Sequence, residues 1–282
     1  MTAAISPLTS LFSASFGAGS PLLNALYGNA GSSSQTADPV QALRSAELRQ
    51  SGEVKATAAQ ASVKTTLARF TQAVTSAKSV TQLLANPAFM NVLLTANHLS
   101  DQIGYTALAT KVLTSNLGDP HSLANTLTDT RWKTLAHTYD FSASGLASLQ
   151  KPATIAAIAN AYATATWQTH QDSVTPGLSN ALIFKAQAST ITSVDRILGN
   201  LAVRTVVTTA LGIPPQIAFQ SLNAQEQAIS SRIDIKQFQN PKFVEAFVQR
   251  YLIANSANAS SSPASSTPDL TTLAVQGHGI FA

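Results

Sequence analysis

LANPAFMNVLLTANHL, from Leu84 to Leu99, sets a polar residue (Asn86) ahead of an apolar helical pattern, and the same order returns three times. The other copies are LTDTRWKTLAHTYDF from Leu127, LGNLAVRTVVTTALGI from Leu198 and FQNPKFVEAFVQRY from Phe238, with Asp129, Asn200 and Asn240 at the aligned polar position. A large apolar residue precedes each by two positions, and another follows by three: Phe89, Trp132, Val203 and Phe243. Further apolar positions come six and seven residues on, at Val92 and Leu93, Leu135 and Ala136, Val206 and Val207, and Ala246 and Phe247.

Asn and Asp suit helix N-caps because their side-chain oxygens accept hydrogen bonds from N–H groups of the first turn, which have no intrahelical partner. Pro87 and Pro241 follow directly, where a fixed φ fits the first helical position and the missing N–H costs nothing. The apolar positions then fall on one helix face. A lost cap costs about 1 kcal/mol, and truncating a buried Phe or Trp costs about 3–5 kcal/mol. Packing therefore dominates, and the caps set where each helix begins. The expected fold is all-α: a multi-helix bundle built from repeated N-capped amphipathic helices. The middle cap-to-cap interval is the longest of the three, and Lys151–Trp167 and the run from Gly177 to Leu198 read as extra helices within it. Internal duplication and the chance likeness of capped amphipathic helices both fit this register, since proline follows the cap in two copies only.

The chain of 282 residues can bury a substantial core. Its charged content of 11% is far below the usual quarter, and Ala, Ser, Thr, Gln and Asn fill the gap. The net charge of +4 comes from basic residues scattered singly, which reads as a solvated surface and not as a nucleic-acid face. There is no cysteine, so disulfides, thiolate nucleophiles and thiolate metal sites are excluded. The first thirty residues lack the basic and apolar regions of a secretory signal, and no apolar run is long enough to span a membrane.

Residues 1–37 are rich in Ser, Ala and Gly with isolated apolar spots, and are expected to be a disordered arm, either inert or ordering on a partner. Asp38-Pro39 repeats the cap-plus-proline signal and opens a helical stretch to about residue 77, with Gly52 as its weak point. It is expected to pack along the repeats or to project in part as a coiled-coil-like arm. The helical domain is placed at 38–255, with short connections at Gly118-Asp119-Pro120, Thr175-Pro176-Gly177 and Ile213-Pro214-Pro215. Residues 256–282 form a low-complexity tail that regains apolar character at LTTLAVQGHGIFA. The apolar ends, Leu8–Tyr27 and Leu270–Phe281, are the segments expected to fold on binding.

No catalytic, cofactor-binding or metal-ligating set stands out. The five histidines form no HExxH pair, and no EF-hand loop, P-loop or GxSxG elbow occurs. His98 and His137 are read as sitting at helix C-termini, where imidazolium meets the dipole favourably. His170 is read as a loop residue. Within DTRWK (129–133), Asp129 is read as a cap, Trp132 as buried, and Arg131 and Lys133 as exposed.

The order NPAF…LLTANHLSDQIGYTALATKVL, LANTLTDTRWKTLAHTYDF, ILGNLAVRTVVTTALGIP and FQNPKFVEAFVQRYL resembles a bacterial family classed as domain of unknown function 1217, over roughly residues 40–255. The resemblance implies an all-helical protein without an assigned activity, whose genes often lie among flagellar genes of alphaproteobacteria, and it transfers no catalytic residues. The expectation is therefore a non-enzymatic helical scaffold in flagellum structure, assembly or motility. It would act through protein partners or self-association, without nucleic acid, cofactor or membrane span, in the bacterial cytoplasm or in a flagellum reached without a cleaved signal. The alternative is a cytoplasmic adaptor or regulatory protein unrelated to the flagellum. A helical enzyme would need a polar pocket holding a strongly perturbed His or Asp.

Overall fold

The computed structural model describes residues 38–261, and the arm at 1–37 and the segment Leu270–Phe281 lie outside them. Among the described residues there is no strand. The helices are α1 (Pro39–Ala59), α2 (Ala61–Ser76), α3 (Val80–Leu84), α4 (Pro87–Ala96), α5 (Thr106–Leu113), α6 (Leu123–Thr126), α7 (Thr130–Tyr139), α8 (Phe141–Ser144), α9 (Pro152–Gln171), α10 (Leu178–Gln187), α11 (Val194–Leu198), α12 (Leu201–Ala210), α13 (Leu222–Ser230) and α14 (Pro241–Ser261). Short 3-10 turns occupy Ser100–Gln102, Ala188–Thr190, Pro215–Phe219 and Ile235–Gln239. The fold is the all-α bundle that the capped pattern predicts.

Each of the four aligned caps is in place. Asn86 Oδ1 accepts the Ala88 and Phe89 N–H groups at 2.9 and 3.2 Å, Asp129 Oδ1 accepts that of Arg131 at 3.0 Å, Asn200 Oδ1 that of Val203 at 3.3 Å, and Asn240 Oδ1 that of Lys242 at 3.0 Å. A second polar residue opens the short turn before each: Ser79, Ser122, Ser193 and Asp234. The unit is thus a short turn and a longer helix, each with its own start.

Ser79, Ser122 and Ser193 each precede the main cap by seven residues, but Asp234 precedes Asn240 by six. The shortened turn is 3-10 where the others are α. One residue fewer rotates the following helix by about 100°, and the apolar stripe moves with it. Phe89, Val92 and Leu93 are buried as expected, as are Trp132, Leu135 and Ala136, and Val203, Val206 and Val207. In α14 the buried residues are Val244, Phe247, Val248, Tyr251 and Leu252, while Ala246 is exposed and Phe243 half-buried.

Adding 114 to a residue number relates the first unit to the third without a gap from Ser79 to Tyr105. Identities include Ser79/Ser193, Leu84/Leu198, Asn86/Asn200, Ala88/Ala202, Val92/Val206, Thr95/Thr209 and Gln102/Gln216. The helix ends match as well. His98 and Gly212 both take positive φ (57° and 63°), and Leu99 and Ile213 donate back to the Leu94 and Thr208 carbonyls at 2.8 Å, the Schellman pattern. The element order repeats too: α1–α4 correspond to α9–α12, α5 to α13, and α7 to α14. The four caps thus fall into two pairs of matching element order.

Two apolar cores result. One gathers α2–α8 with Ile158 from the first half of α9, around Phe70, Phe89, Leu93 and Trp132. The other gathers α10–α14 with α1 and Trp167 from the second half of α9, around Phe184, Val206, Phe238 and Phe247. Phe184 and Phe238 meet edge-on at 5.2 Å, and Phe70 stacks on Phe89 at 5.8 Å. The long α9 runs through both cores and packs on α4 and α1.

Three expectations need correction. The helical stretch from Pro39 breaks at Gln60, whose ψ of 141° is extended, and Gly52 stays helical and exposed. The break is tertiary in origin, because α1 belongs to one core and α2 to the other. The run from Gly177 to Leu198 is two helices, interrupted over 188–193 by a 3-10 turn and the Ser193 cap. The last helix continues to Ser261, past the expected boundary at 255.

Candidate functional site

The densest polar cluster forms where the turns of the first three units meet, and Arg131 is its centre. Asp129 starts α7, so Arg131 leaves the first turn pointing towards the 3-10 turn after α4. Its Nη1 and Nη2 donate to the two Asp101 oxygens at 2.8 and 2.9 Å, and Nη1 also donates to the His98 carbonyl. Nε and Nη2 donate to Asp129 at 3.0 and 2.7 Å. All five guanidinium N–H groups are thereby used inside the chain. The side chain is 9% exposed, which corrects the expectation of an exposed Arg131, whereas Lys133 is exposed as expected and Trp132 is buried at 1%.

The charges respond to this packing. Burial works against the Arg131 cation, but the Asp129 and Asp101 carboxylates outweigh it and raise its pKa. Burial pushes the Asp101 carboxyl up, and the hydrogen bonds from Arg131 and Gln102 override it, so the pKa is lowered. His98 is held below the ordinary histidine value, first by burial and then by the Arg131 charge. Both effects favour the neutral imidazole over the imidazolium expected at a helix C-terminus. His98 lies past the end of α4, in left-handed conformation, one of the few non-glycine types that tolerate it.

The cluster separates two cavities. One of about 330 Å³ is lined by Asn97, His98, Arg131, Gln187, Arg196 and Asn200. The other, about 170 Å³, is lined by His98, Asp101, Arg131, Gln168, Ser179 and Asn180 among others, and the buried Gln168 Oε1 has no hydrogen-bond partner. Asp101 and Arg131 are 30 residues apart, and sequence spacing carries no sign of their pairing.

The remaining polar residues serve packing. Lys185 on α10 bridges Glu47 of α1 and Glu245 of α14, and these carboxylates raise its pKa despite burial. Trp167 Nε1 donates to Glu53 Oε2 at 2.7 Å, tying α9 to α1. His170 lies in the last turn of α9, not in a loop, and Asp172 beside it accepts the Ser179 N–H at 2.8 Å and the Ser179 hydroxyl. Tyr251 lies beside Asn180, and burial, helped by Asp172, pushes its hydroxyl up to about 12. His137 closes α7 and is exposed. Among the described residues no group of three His, Asp or Glu side chains is placed to hold a metal ion. None of their helices is long and apolar enough to cross a membrane.

The family described as protein of unknown function (DUF1217) has a model that matches residues 96–244, just over half of the chain. The chain belongs to this family. The DUF1217 match is narrower than the expected 40–255, and runs from the end of α4 to the first turn of α14. It thus includes Arg131 and both turns that follow the positive-φ caps. The crystal structure of an Agrobacterium tumefaciens protein from a structural genomics programme is 24% identical, with a TM-score of 0.67 over 81% of this chain and 98% of that one. That likeness concerns the fold. No curated protein matches the chain.

Proposed function

We propose that this DUF1217 protein is a non-enzymatic helical scaffold that works through protein–protein contacts in the structure or assembly of the bacterial flagellum. The observation that carries the scaffold reading is how the polar side chains are spent. Asn86, Asp129, Asn200 and Asn240 cap helices, Arg131 is saturated by its own chain, and Lys185 joins three helices. His98 and Asp101 line a polar cavity and both have lowered pKa values, yet each is tied to Arg131. Asp101 is clamped by the guanidinium, and the cation beside His98 opposes the proton uptake a general base needs. Large apolar side chains left exposed, Phe219 at 89% and Leu48 at 87%, suit contact with other proteins. The flagellar assignment rests on the family resemblance and on the charge-poor, cysteine-free composition.

The test is a deletion strain scored for swimming, together with fractionation of the tagged protein between cytosol, purified flagellar basal structures and culture supernatant. Lost or impaired swimming, with the protein in the flagellar or supernatant fraction, supports the reading. Normal swimming with the protein confined to the cytosol overturns it in favour of an adaptor unrelated to the flagellum.

A further inference from the structure

The two halves differ at one place in a way that leaves room for an apolar segment. In the first half α5 buries Ala109, Val112 and Leu113. The matching helix α13 starts after Ser221, 116 residues beyond the Tyr105 that precedes α5, and buries Ile229 alone, at the place of Leu113. A groove of about 420 Å³ lies between α12, α13 and the turn at Pro215–Phe219, with Leu201, Ile213, Ile217 and Ile229 in its lining. Phe219 and Leu222, exposed at 89% and 46%, lie close along the chain to that lining.

Asn258, in the last turn of α14, also lines the groove, so the chain leaves the described fold beside it. Twenty-one residues follow Ser261, with Leu270, Leu273, Ala274 and Val275 as their first apolar cluster with large side chains. Leu270, Leu273 and Ala274 have the i, i+3, i+4 spacing of one helix face. The nine residues from Ser261 to Leu270 reach at most about 30 Å, and so short a tether holds the segment near the groove at roughly millimolar effective concentration. We propose that Leu270–Val275 docks in this groove of its own chain, supplying the apolar contacts that α5 makes in the first half and α13 does not. The contact lies within one chain and is independent of where the protein works, so its failure leaves the scaffold reading untouched and the converse also holds.

The absence of native cysteine makes a direct test simple. Ala218 is an exposed residue of the groove lining, and Ala218→Cys with Leu273→Cys in the full chain places one thiol on each side of the contact. Mild oxidation should give an intramolecular disulfide, seen as a faster-moving monomer on a non-reducing gel. Adding Leu270→Asp, a position outside the described residues, should slow its formation about tenfold, as expected for losing one buried leucine. A rate unchanged by Leu270→Asp would mean that the tether alone brings the thiols together. Disulfides only between chains would place a second copy in the groove, and no disulfide would leave it without this segment. Any of the three overturns the assignment.

Discussion

The Gly199 carbonyl accepts the Thr130 N–H at 2.9 Å, and a Cβ on Gly199 would stand 2.4 Å from the Thr128 carbonyl oxygen. The entry turns of the second and third units are therefore pressed backbone to backbone, one supplying the acceptor for an otherwise orphan N–H at the start of α7. Glycine is required for this approach and not for its φ, which is −80°. At the same place in the first unit the chain has Ala85.

Gly199→Ala should consequently destabilise the protein by about 1–3 kcal/mol, the usual cost of overpacking. Gly52→Ala is the matched control, because Gly52 is helical and exposed, with nothing within 4 Å of its missing Cβ. It should gain about 0.5–1 kcal/mol. Urea unfolding midpoints of the two variants should move in opposite directions at unchanged slope. A neutral Gly199→Ala would show that the two turns are not in contact.

Arg131→Met should cost about 2 kcal/mol. Breaking a buried ion pair costs about 3–5 kcal/mol, but water reaches Asp101 and Asp129, whose side chains are 36% and 27% exposed, and reduces that figure. Combining it with Asp101→Asn removes one stranded carboxylate. The double variant should then be less destabilised than the sum of the singles, by about 1 kcal/mol. Strict additivity would mean that the two residues do not interact in solution.

What could be read from the chain and what could not divides by distance along it. The caps were legible because a cap bonds within three residues of itself, and Trp132 because its helix face follows from its own cap. The break at Gln60 was not, since TAAQAS holds no breaker and the cause is the assignment of α1 and α2 to different cores. Arg131 was misread as exposed because its partner Asp101 lies 30 residues upstream, and its own pentapeptide describes only an amphipathic first turn. The shifted register of α14 is legible in the sequence. Counting from Asp234 to Asn240, one residue fewer than from Ser193 to Asn200, already carries the rotation that moves Phe243 off the buried stripe.

That rotation can be tested by truncation. Phe247→Ala should cost about 3–5 kcal/mol, like Phe89→Ala and Trp132→Ala, because all three side chains are buried. Phe243→Ala should cost less than half as much, since Phe243 is half-buried and meets Phe238 and Phe247 at ring distances of 6.0 and 5.7 Å from the edge of the core. Thermal or urea unfolding ranks the four. Equal losses at 243 and 247 would restore the unshifted stripe.

His98 predicts a distinct pH dependence. Its folded pKa is below the unfolded value, so the unfolded chain takes up a proton near pH 6.5 that the folded chain refuses. The stability it contributes is complete above about pH 6.5 and declines as pH falls from there towards the folded value. Asp101, also lowered, gives a second loss of the same sign that begins only near its unfolded pKa, about 4. His98→Asn keeps a residue that tolerates left-handed backbone and should flatten the stability profile just below about pH 6.5 while leaving the more acidic loss intact. Arg131→Met should do the reverse in part, weakening the acidic loss strongly and the histidine loss slightly, because burial and not the guanidinium is the larger cause at His98. Unfolding free energies measured from about pH 2 to 8 separate the two windows, and an unaltered slope in His98→Asn would mean that the imidazole is solvated and ordinary.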